Sequence, residues 1–108
     1  MKLFLTLFAV FALYLGIAAL AQSERAGSTA AVRNGQRLYT QSCAACHDTR
    51  STVVRVGPGL KSYYSVHSPR PTDANVRAVI VKGKGTMPGF NNLSQEQMND
   101  LIVYLKTL

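Results

Sequence analysis

The 108-residue sequence has few metal-ligating and few acidic side chains. It contains two cysteines and two histidines, and five acidic residues stand against twelve basic ones. A structural zinc site normally needs four nitrogen or sulfur ligands, and the four candidates here include the distant His67. The sequence also lacks the strand alternation that would surround a thioredoxin-like redox pair. The sequence is therefore a poor fit to a structural zinc site and to a thioredoxin-like redox site.

The formal net charge is +7, yet aromatic residues make up only 8% of the chain. Basic charge without aromatic clusters for base stacking does not indicate a nucleic-acid-binding protein. It predicts instead electrostatic steering toward an acidic partner. The length is sufficient for one domain.

The start of the chain has the pattern of an export signal. Met1-Lys2 provides a positive start, residues 3–15 form an apolar run, and Ala19-Leu20-Ala21 is an A-x-A cleavage signature. We therefore predict cleavage after Ala21, so that the mature chain begins at Gln22.

This pattern divides the chain into three parts. We predict a signal peptide over residues 1–21, a flexible lead over residues 22–29 and one folded domain over residues 30–108. A retained membrane anchor is the alternative, because residues 3–20 reach the lower limit of a bilayer span. Lys2 keeps the N-terminus cytoplasmic in either case. Both alternatives place the folded domain outside the cytoplasm, in the periplasm.

The strongest motif is Cys43-Ala44-Ala45-Cys46-His47. Two cysteines separated by two residues and followed by histidine are typical of a c-type haem attachment site. Each thiol adds across one haem vinyl group, and the histidine supplies one axial nitrogen to the iron. We predict one haem c per chain, bound covalently through Cys43 and Cys46 and ligated by His47. A plain disulfide between the two cysteines is the alternative.

Met87 is the predicted second axial ligand of the haem iron. It lies in the loop Gly85-Thr86-Met87-Pro88-Gly89-Phe90, where Pro88 disfavours helix at Met87. A thioether ligand raises the reduction potential. Met98 lies on a helical stripe and is predicted to be core. His67 is the rival ligand, and a lone histidine beside a proline-rich loop is more often exposed.

Helical periodicity predicts two of the helices in the folded domain. The first covers residues 30–41. The second begins at Thr72 or Asp73, which are good N-caps, and ends near Lys82, where Gly83 is the stop signal.

The last predicted helix opens on the capping box Ser94–Gln97. Its apolar stripe consists of Met98, Leu101, Ile102, Leu105 and Leu108. We expect this helix to cross the first one near Gly35, since a glycine inside a helix permits close approach.

These features together resemble the class I monohaem cytochromes c, especially the small bacterial periplasmic ones. The segments that carry the resemblance are Cys43–His47, Gly57–Leu60, Val79–Phe90 and Leu101–Leu105. The resemblance implies an all-α cytochrome c fold, with three to four helices wrapped around one covalently bound haem and preceded by a signal or anchor helix.

The resemblance also implies roles for individual residues. The Pro58 carbonyl would accept a hydrogen bond from the His47 ring, and Gly35 and Tyr39 would pack near Tyr104. Tyr63 or Tyr64 is a candidate to bond a haem propionate, with packing against the haem edge or plain exposure as the alternatives. Residues 49–56 depart from the glycine-rich stretch often found there, which leaves their conformation open.

The implied function is one-electron transfer and not enzymatic catalysis. The partners would be acidic periplasmic or membrane redox proteins (a dehydrogenase, an oxidase or another cytochrome), approached through a haem edge near Lys61, Lys82 and Lys84. The protein would be a monomer or a complex subunit, touching the membrane only through residues 1–21. The alternatives are an electron-transfer subunit of a dehydrogenase or oxidase, and a haem sensor or weak peroxidase with a displaceable Met87.

Overall fold

A computed structural model describes residues 2–108, with the side chains of residues 2–6, 20–21 and 23–26 outside the description. The helices it describes are α1 (Lys2–Ser42), α2 (Tyr63–Val66), α3 (Asp73–Lys82) and α4 (Gln95–Leu105). Residues 2–108 contain no β-strand, and an isolated antiparallel bridge pairs Lys84 with Met87. The predicted all-α class is confirmed.

The chain divides into two compact units, Met1–Ala30 and Ala31–Leu108. In the first unit, the large apolar side chains between residues 7 and 17 are all at least 54% exposed. Across the described residues, none of the helices combines the length and apolarity needed to cross a membrane. Met1 and the side chains of Leu20 and Ala21 lie outside the described residues, so the signal peptide stays a prediction.

Residues 22–29 are helical, as part of α1, where we expect a flexible lead. Four of these eight residues are good helix formers, namely Gln22, Glu24, Arg25 and Ala26. The single Gly27 costs only about 1 kcal/mol of helix propensity. Helical backbone therefore continues to Ser42, one residue beyond the predicted end of the first helix.

The core of the second unit lies between the end of α1, α3 and α4. Its buried residues are Tyr39, Ile80, Met98, Leu101, Ile102 and Tyr104. Gly35 meets α4 so closely that an added Cβ would lie 2.1 Å from the Asp100 carbonyl oxygen. The ring centroids of Tyr39 and Tyr104 are 5.5 Å apart. The predicted crossing of the first and last helices is confirmed.

The ends of α3 and α4 are set by their capping residues. The Thr72 hydroxyl accepts a hydrogen bond from the Asn75 amide, and α3 stops at Gly83 with a φ of 75°. At α4, the Ser94 hydroxyl accepts from the Gln97 amide while the Gln97 side chain accepts from the Ser94 amide. Both capping predictions are confirmed, since each satisfies amides that a helix leaves without partners.

Candidate haem site

A cavity of about 350 Å³ lies within the unit formed by residues 31–108. That volume is within the range of small-molecule and cofactor sites. Its wall includes six of the predicted haem-binding residues, which are Cys43, Cys46, His47, Pro58, Tyr63 and Met87. Most of the remaining wall is apolar, with Val76, Val79 and Ile80 from α3 and Leu101 and Leu105 from α4. The fold therefore brings the predicted ligands together around one cavity.

The cysteines lie on a turn that extends α1. The Cys43 amide donates to the Tyr39 carbonyl oxygen at 2.8 Å, and the His47 amide donates to the Cys43 carbonyl oxygen at 3.0 Å. Both thiols are free. Burial, and secondarily the neighbouring Cys46 thiol, raises the pKa of Cys43. The turn thus fixes the spacing of the two sulfurs and the histidine.

The His47 ring is held on two sides. Nδ1 lies 2.8 Å from the Pro58 carbonyl oxygen. An oxygen acceptor there selects the tautomer that carries its proton on Nδ1, which leaves Nε2 free to ligate a metal. The backbone of Gly57 lies against the ring, because a Cβ built on Gly57 would be 2.6 Å from His47 Cε1. The Pro58 contact is the one that the family resemblance implies.

Met87 lies in a loop whose backbone is tightly held. The Lys84 amide donates to the Met87 carbonyl oxygen at 3.1 Å, and the Met87 amide donates back to Lys84 at 3.0 Å. A Cβ on Gly83 would approach the Met87 carbonyl oxygen to 2.4 Å, and one on Gly89 would approach the Val81 carbonyl oxygen to 2.6 Å. Two glycines thus allow backbone contacts that fix the position of Met87.

The two adjacent tyrosines of α2 differ in position. Tyr63 lines the cavity, whereas Tyr64 does not. The Tyr64 ring lies under the Lys106 ammonium group, 5.7 Å from it. The two side chains diverge because neighbouring residues of a helix point in directions about 100° apart. A propionate bond from either tyrosine stays a prediction, and the structure separates the two only by which side chain lines the cavity.

His67 lies outside the cavity wall and is exposed. Its Nδ1 lies 3.0 Å from the Tyr63 carbonyl oxygen, and its ring packs against the Tyr63 ring at a tilt of 48°, with centroids 4.3 Å apart. Met98 is 5% exposed within the core, as predicted. Neither rival of Met87 lines the cavity.

Tyr39 also belongs to the site, although the sequence leads us to expect only that it packs near Tyr104. It lines the cavity and donates its hydroxyl hydrogen bond to the His47 carbonyl oxygen. Burial is the main cause that raises the Tyr39 pKa from its ordinary 10.0 to about 12, and Cys43 contributes next. Its position four residues before Cys43 on the same helix is the signal that would have found it.

The donor set fits a c-type haem. Two free thiols, an imidazole whose Nδ1 faces a carbonyl oxygen and a thioether all border one mainly apolar cavity. Among the described residues no group of three or more histidine, cysteine or carboxylate side chains forms a separate metal site. The arrangement can therefore hold an iron macrocycle through both covalent and axial bonds.

The chain is similar to several known proteins. The model of the family "Cytochrome C oxidase, cbb3-type, subunit III" matches residues 30–105. Cytochrome c-L of Methylorubrum extorquens is 32% identical over 71% of this chain and 40% of its own length. Chloroplastic cytochrome c6 of Arabidopsis thaliana is 31% identical over 62% of this chain and 38% of its own length. The chain thus spans about two fifths of the length of these two relatives.

Shorter relatives are matched almost throughout. Cytochrome c6 of Thermosynechococcus vestitus is 28% identical over 84% of this chain and 82% of its own length. The crystal structure of cytochrome c6 from the diatom Phaeodactylum tricornutum superposes with a TM-score of 0.55, at 23% identity, over 70% of this chain and 91% of that one. The matched part of this chain therefore has the fold of that cytochrome c6 structure.

Proposed function

Because this chain belongs to the class I monohaem cytochrome c family of electron carriers, we propose that it carries single electrons between exported redox partners with one covalently bound haem c. The observation that carries this proposal is the convergence of Cys43, Cys46, His47 and Met87 on one cavity. Haem c bound there supplies an iron that alternates between the ferrous and ferric states.

Each of these residues has a defined task in the proposal. Cys43 and Cys46 tether the haem through thioether bonds, and His47 offers Nε2 to the iron. The Pro58 carbonyl keeps the His47 ring in one orientation and increases its basicity as a ligand. Met87 would hold the iron through its thioether sulfur, a ligand that favours the reduced state. The apolar wall keeps water away from the metal, which raises the potential further.

The hydrogen bonds that hold the backbone of the Met87 loop favour an electron carrier over a haem sensor. A ligand is harder to displace when the backbone that carries it is held, and here the backbone is bonded reciprocally between Lys84 and Met87. The Phe90 amide also donates to the Ile80 carbonyl oxygen at 2.8 Å, which fastens the loop to α3. Met87 is therefore proposed as a permanent ligand.

The proposed setting is the periplasm, with acidic redox proteins as partners. The net charge of +7 supports attraction to acidic surfaces. Lys84 borders the cavity, so basic charge is placed where electrons would enter and leave.

A matched pair of substitutions tests the axial assignment. Met87→Leu and Met98→Leu each remove a thioether and keep a similar side-chain volume. In the purified haem protein, Met87→Leu should abolish the red-region band of methionine-to-iron charge transfer and should let the ferrous protein bind carbon monoxide. Met98→Leu should leave the band and the resistance to carbon monoxide intact. Loss of the band in Met98→Leu alone would reverse the assignment.

Mass spectrometry of the exported protein tests the attachment. One haem per chain is expected, carried by the peptide that contains Cys43 and Cys46. A start at Gln22 would support signal cleavage, and a start at Met1 would support the anchor. A protein exported with a disulfide and without haem would contradict the proposed function.

The name of the matched family favours a second candidate function. That family is described as a subunit of a cbb3-type oxidase, so a permanently bound electron-transfer subunit is the alternative to a free carrier. Gentle solubilisation of native membranes followed by size-exclusion chromatography separates the two. A subunit elutes with haem and oxidase subunits in constant ratio, and a carrier elutes alone.

A further inference from the structure

Three valines on one loop are exposed although they are apolar. Val53, Val54 and Val56 are 62%, 68% and 68% exposed, and we call them the valine patch. Burying a valine side chain is favourable relative to leaving it in water. Single exposed apolar residues are ordinary, but clustered ones mark interaction surfaces.

The loop that carries the valine patch is fixed at both ends. The Gly57 amide donates to the Cys46 carbonyl oxygen at 2.9 Å. The Lys61 amide donates to the Ser51 carbonyl oxygen at 3.3 Å. A surface that is fixed before binding loses little conformational entropy when a partner docks.

The valine patch also reaches the proposed haem site. Val56 lines the cavity together with Gly57, Pro58 and His47. A protein docked on the valine patch would therefore approach the cavity wall on the His47 side. Electron transfer needs such closeness, because its rate falls steeply with distance between the two centres.

The charge around the valine patch is basic. Arg50, whose side chain is 92% exposed, pairs with Asp48 at 3.7 Å, and Arg55 is exposed within the loop. The Asp48 carboxylate accepts hydrogen bonds from the Arg50 amide and the Ser51 hydroxyl, and these bonds lower its pKa. The one carboxylate of the loop is thus already partnered, whereas Arg55 and most of Arg50 face solvent.

We propose that the valine patch with Arg50 and Arg55 is a docking surface for a redox protein whose contact face has an apolar centre and a carboxylate rim. This inference rests on the proposed function. The arginines steer the approach and set the association rate, while burial of the valines slows dissociation. An apolar centre with a polar rim is the usual anatomy of a transient interface.

Electrodes of defined chemistry test the surface without a known partner. The probe is gold coated with a mixed monolayer of carboxylate- and methyl-terminated thiols, compared with a carboxylate-only monolayer. Voltammetry of the intact haem protein reports adsorption affinity and interfacial electron-transfer rate. Val53→Ser/Val54→Ser should weaken adsorption on the mixed monolayer about tenfold, equivalent to about 1.4 kcal/mol. It should leave adsorption on the carboxylate-only monolayer within twofold.

The matched control is Val66→Ser/Val103→Ser, at valines that are 58% and 36% exposed and do not line the cavity. This control should behave as the parent on both monolayers. Arg50→Gln/Arg55→Gln should weaken adsorption on both, and added salt should remove that difference. Equal adsorption of the Val53→Ser/Val54→Ser variant and the control on the mixed monolayer would overturn the docking surface.

Two further outcomes distinguish a failure of the proposed function from a failure of the docking surface. If the parent protein shows no reversible iron couple on any electrode, the proposed function fails, regardless of how the valine variants adsorb. If the parent binds vesicles of phosphatidylcholine and phosphatidylglycerol and Val53→Ser/Val54→Ser does not, the surface binds lipid and the proposal of a protein partner is overturned.

Discussion

The backbone of Gly57 lies against the imidazole of His47, so closely that a methyl group on Gly57 would come within 2.6 Å of Cε1 and 2.8 Å of Nδ1. The following residue, Pro58, accepts the hydrogen bond from the same ring. Two consecutive residues thus orient one side chain, one by close contact and one by a directed bond. A histidine held in this way keeps a single ring orientation.

Gly57→Ala should therefore reorient the His47 ring without preventing haem attachment. The expected result is an altered pattern of paramagnetically shifted haem methyl resonances, together with a stability loss of about 1–3 kcal/mol from overpacking. Proton magnetic resonance of the ferric protein and urea unfolding provide the two measurements. Gly27→Ala is the control, since a Cβ there meets nothing within 4 Å. An unchanged methyl pattern in Gly57→Ala would show that Gly57 does not orient the ring.

Gly35→Ala should destabilise the contact between α1 and α4. Its Cβ would lie 2.1 Å from the Asp100 carbonyl oxygen and 2.7 Å from Tyr104 Cβ. Overpacking costs about 1–3 kcal/mol, which exceeds the gain of about 1 kcal/mol in helix propensity. Gly27→Ala, in the same helix but in open space, should be neutral or stabilising by up to about 1 kcal/mol. Urea unfolding followed by circular dichroism compares the two, and equal shifts would contradict the contact.

Alkaline pH should destabilise the protein partly through Tyr39. Burial raises its folded-state pKa to about 12 from 10.0, so the unfolded chain releases this proton at lower pH than the folded one. The contribution of Tyr39 to the free energy of unfolding is complete below about pH 10. It is lost as the pH rises toward 12, with a slope of at most about 1.4 kcal/mol per pH unit.

Tyr39→Phe isolates that contribution. The variant loses the hydrogen bond to the His47 carbonyl oxygen, worth about 1 kcal/mol, at every pH below 10. Between pH 10 and 12 its free energy of unfolding should fall less steeply than that of the parent. Urea unfolding at half-unit pH intervals measures both curves. Parallel curves across this range would show that Tyr39 does not titrate with unfolding.

Neutralising Lys84, which borders the cavity, together with Lys82 should slow reaction with an anionic oxidant. Lys82→Gln/Lys84→Gln should lower the rate of oxidation by hexacyanoferrate(III) several-fold at low ionic strength, because attraction to the anion is weakened. The rates should converge in 1 M salt, where the Debye length is about 3 Å. Arg33→Gln/Arg70→Gln removes the same charge from two other exposed positions. Equal slowing in both pairs would assign the effect to net charge alone.

The sequence predicts most clearly those elements whose ends have local causes. Thr72, Gly83 and Ser94 act through hydrogen bonds and dihedral angles within a few residues, so α3 begins and ends where expected and α4 begins where expected. The site motif is also local, since the spacing from Cys43 to His47 follows from one turn of chain.

Features set by distant contacts could not be predicted in the same way. The loop of residues 49–57 has no periodicity, and its form depends on bonds such as that from Leu60 to the Asp48 carbonyl oxygen. The approach of Gly57 to the His47 ring needs the folded backbone. The position of Tyr64 required the register of α2, which is only four residues long.

The meeting of α1 and α4 joins parts of the chain that are far apart in sequence. The side-chain amide of Asn34 donates a hydrogen bond to the Asp100 carboxylate at 3.0 Å, and the two residues are 66 positions apart. The ring of Tyr39 likewise packs against that of Tyr104. In an exported chain that emerges from its N-terminus, residues 43–47 leave the translocation channel before residues 95–105. We therefore expect Cys43 and Cys46 to be accessible for attachment of the proposed haem before the contact between α1 and α4 can close.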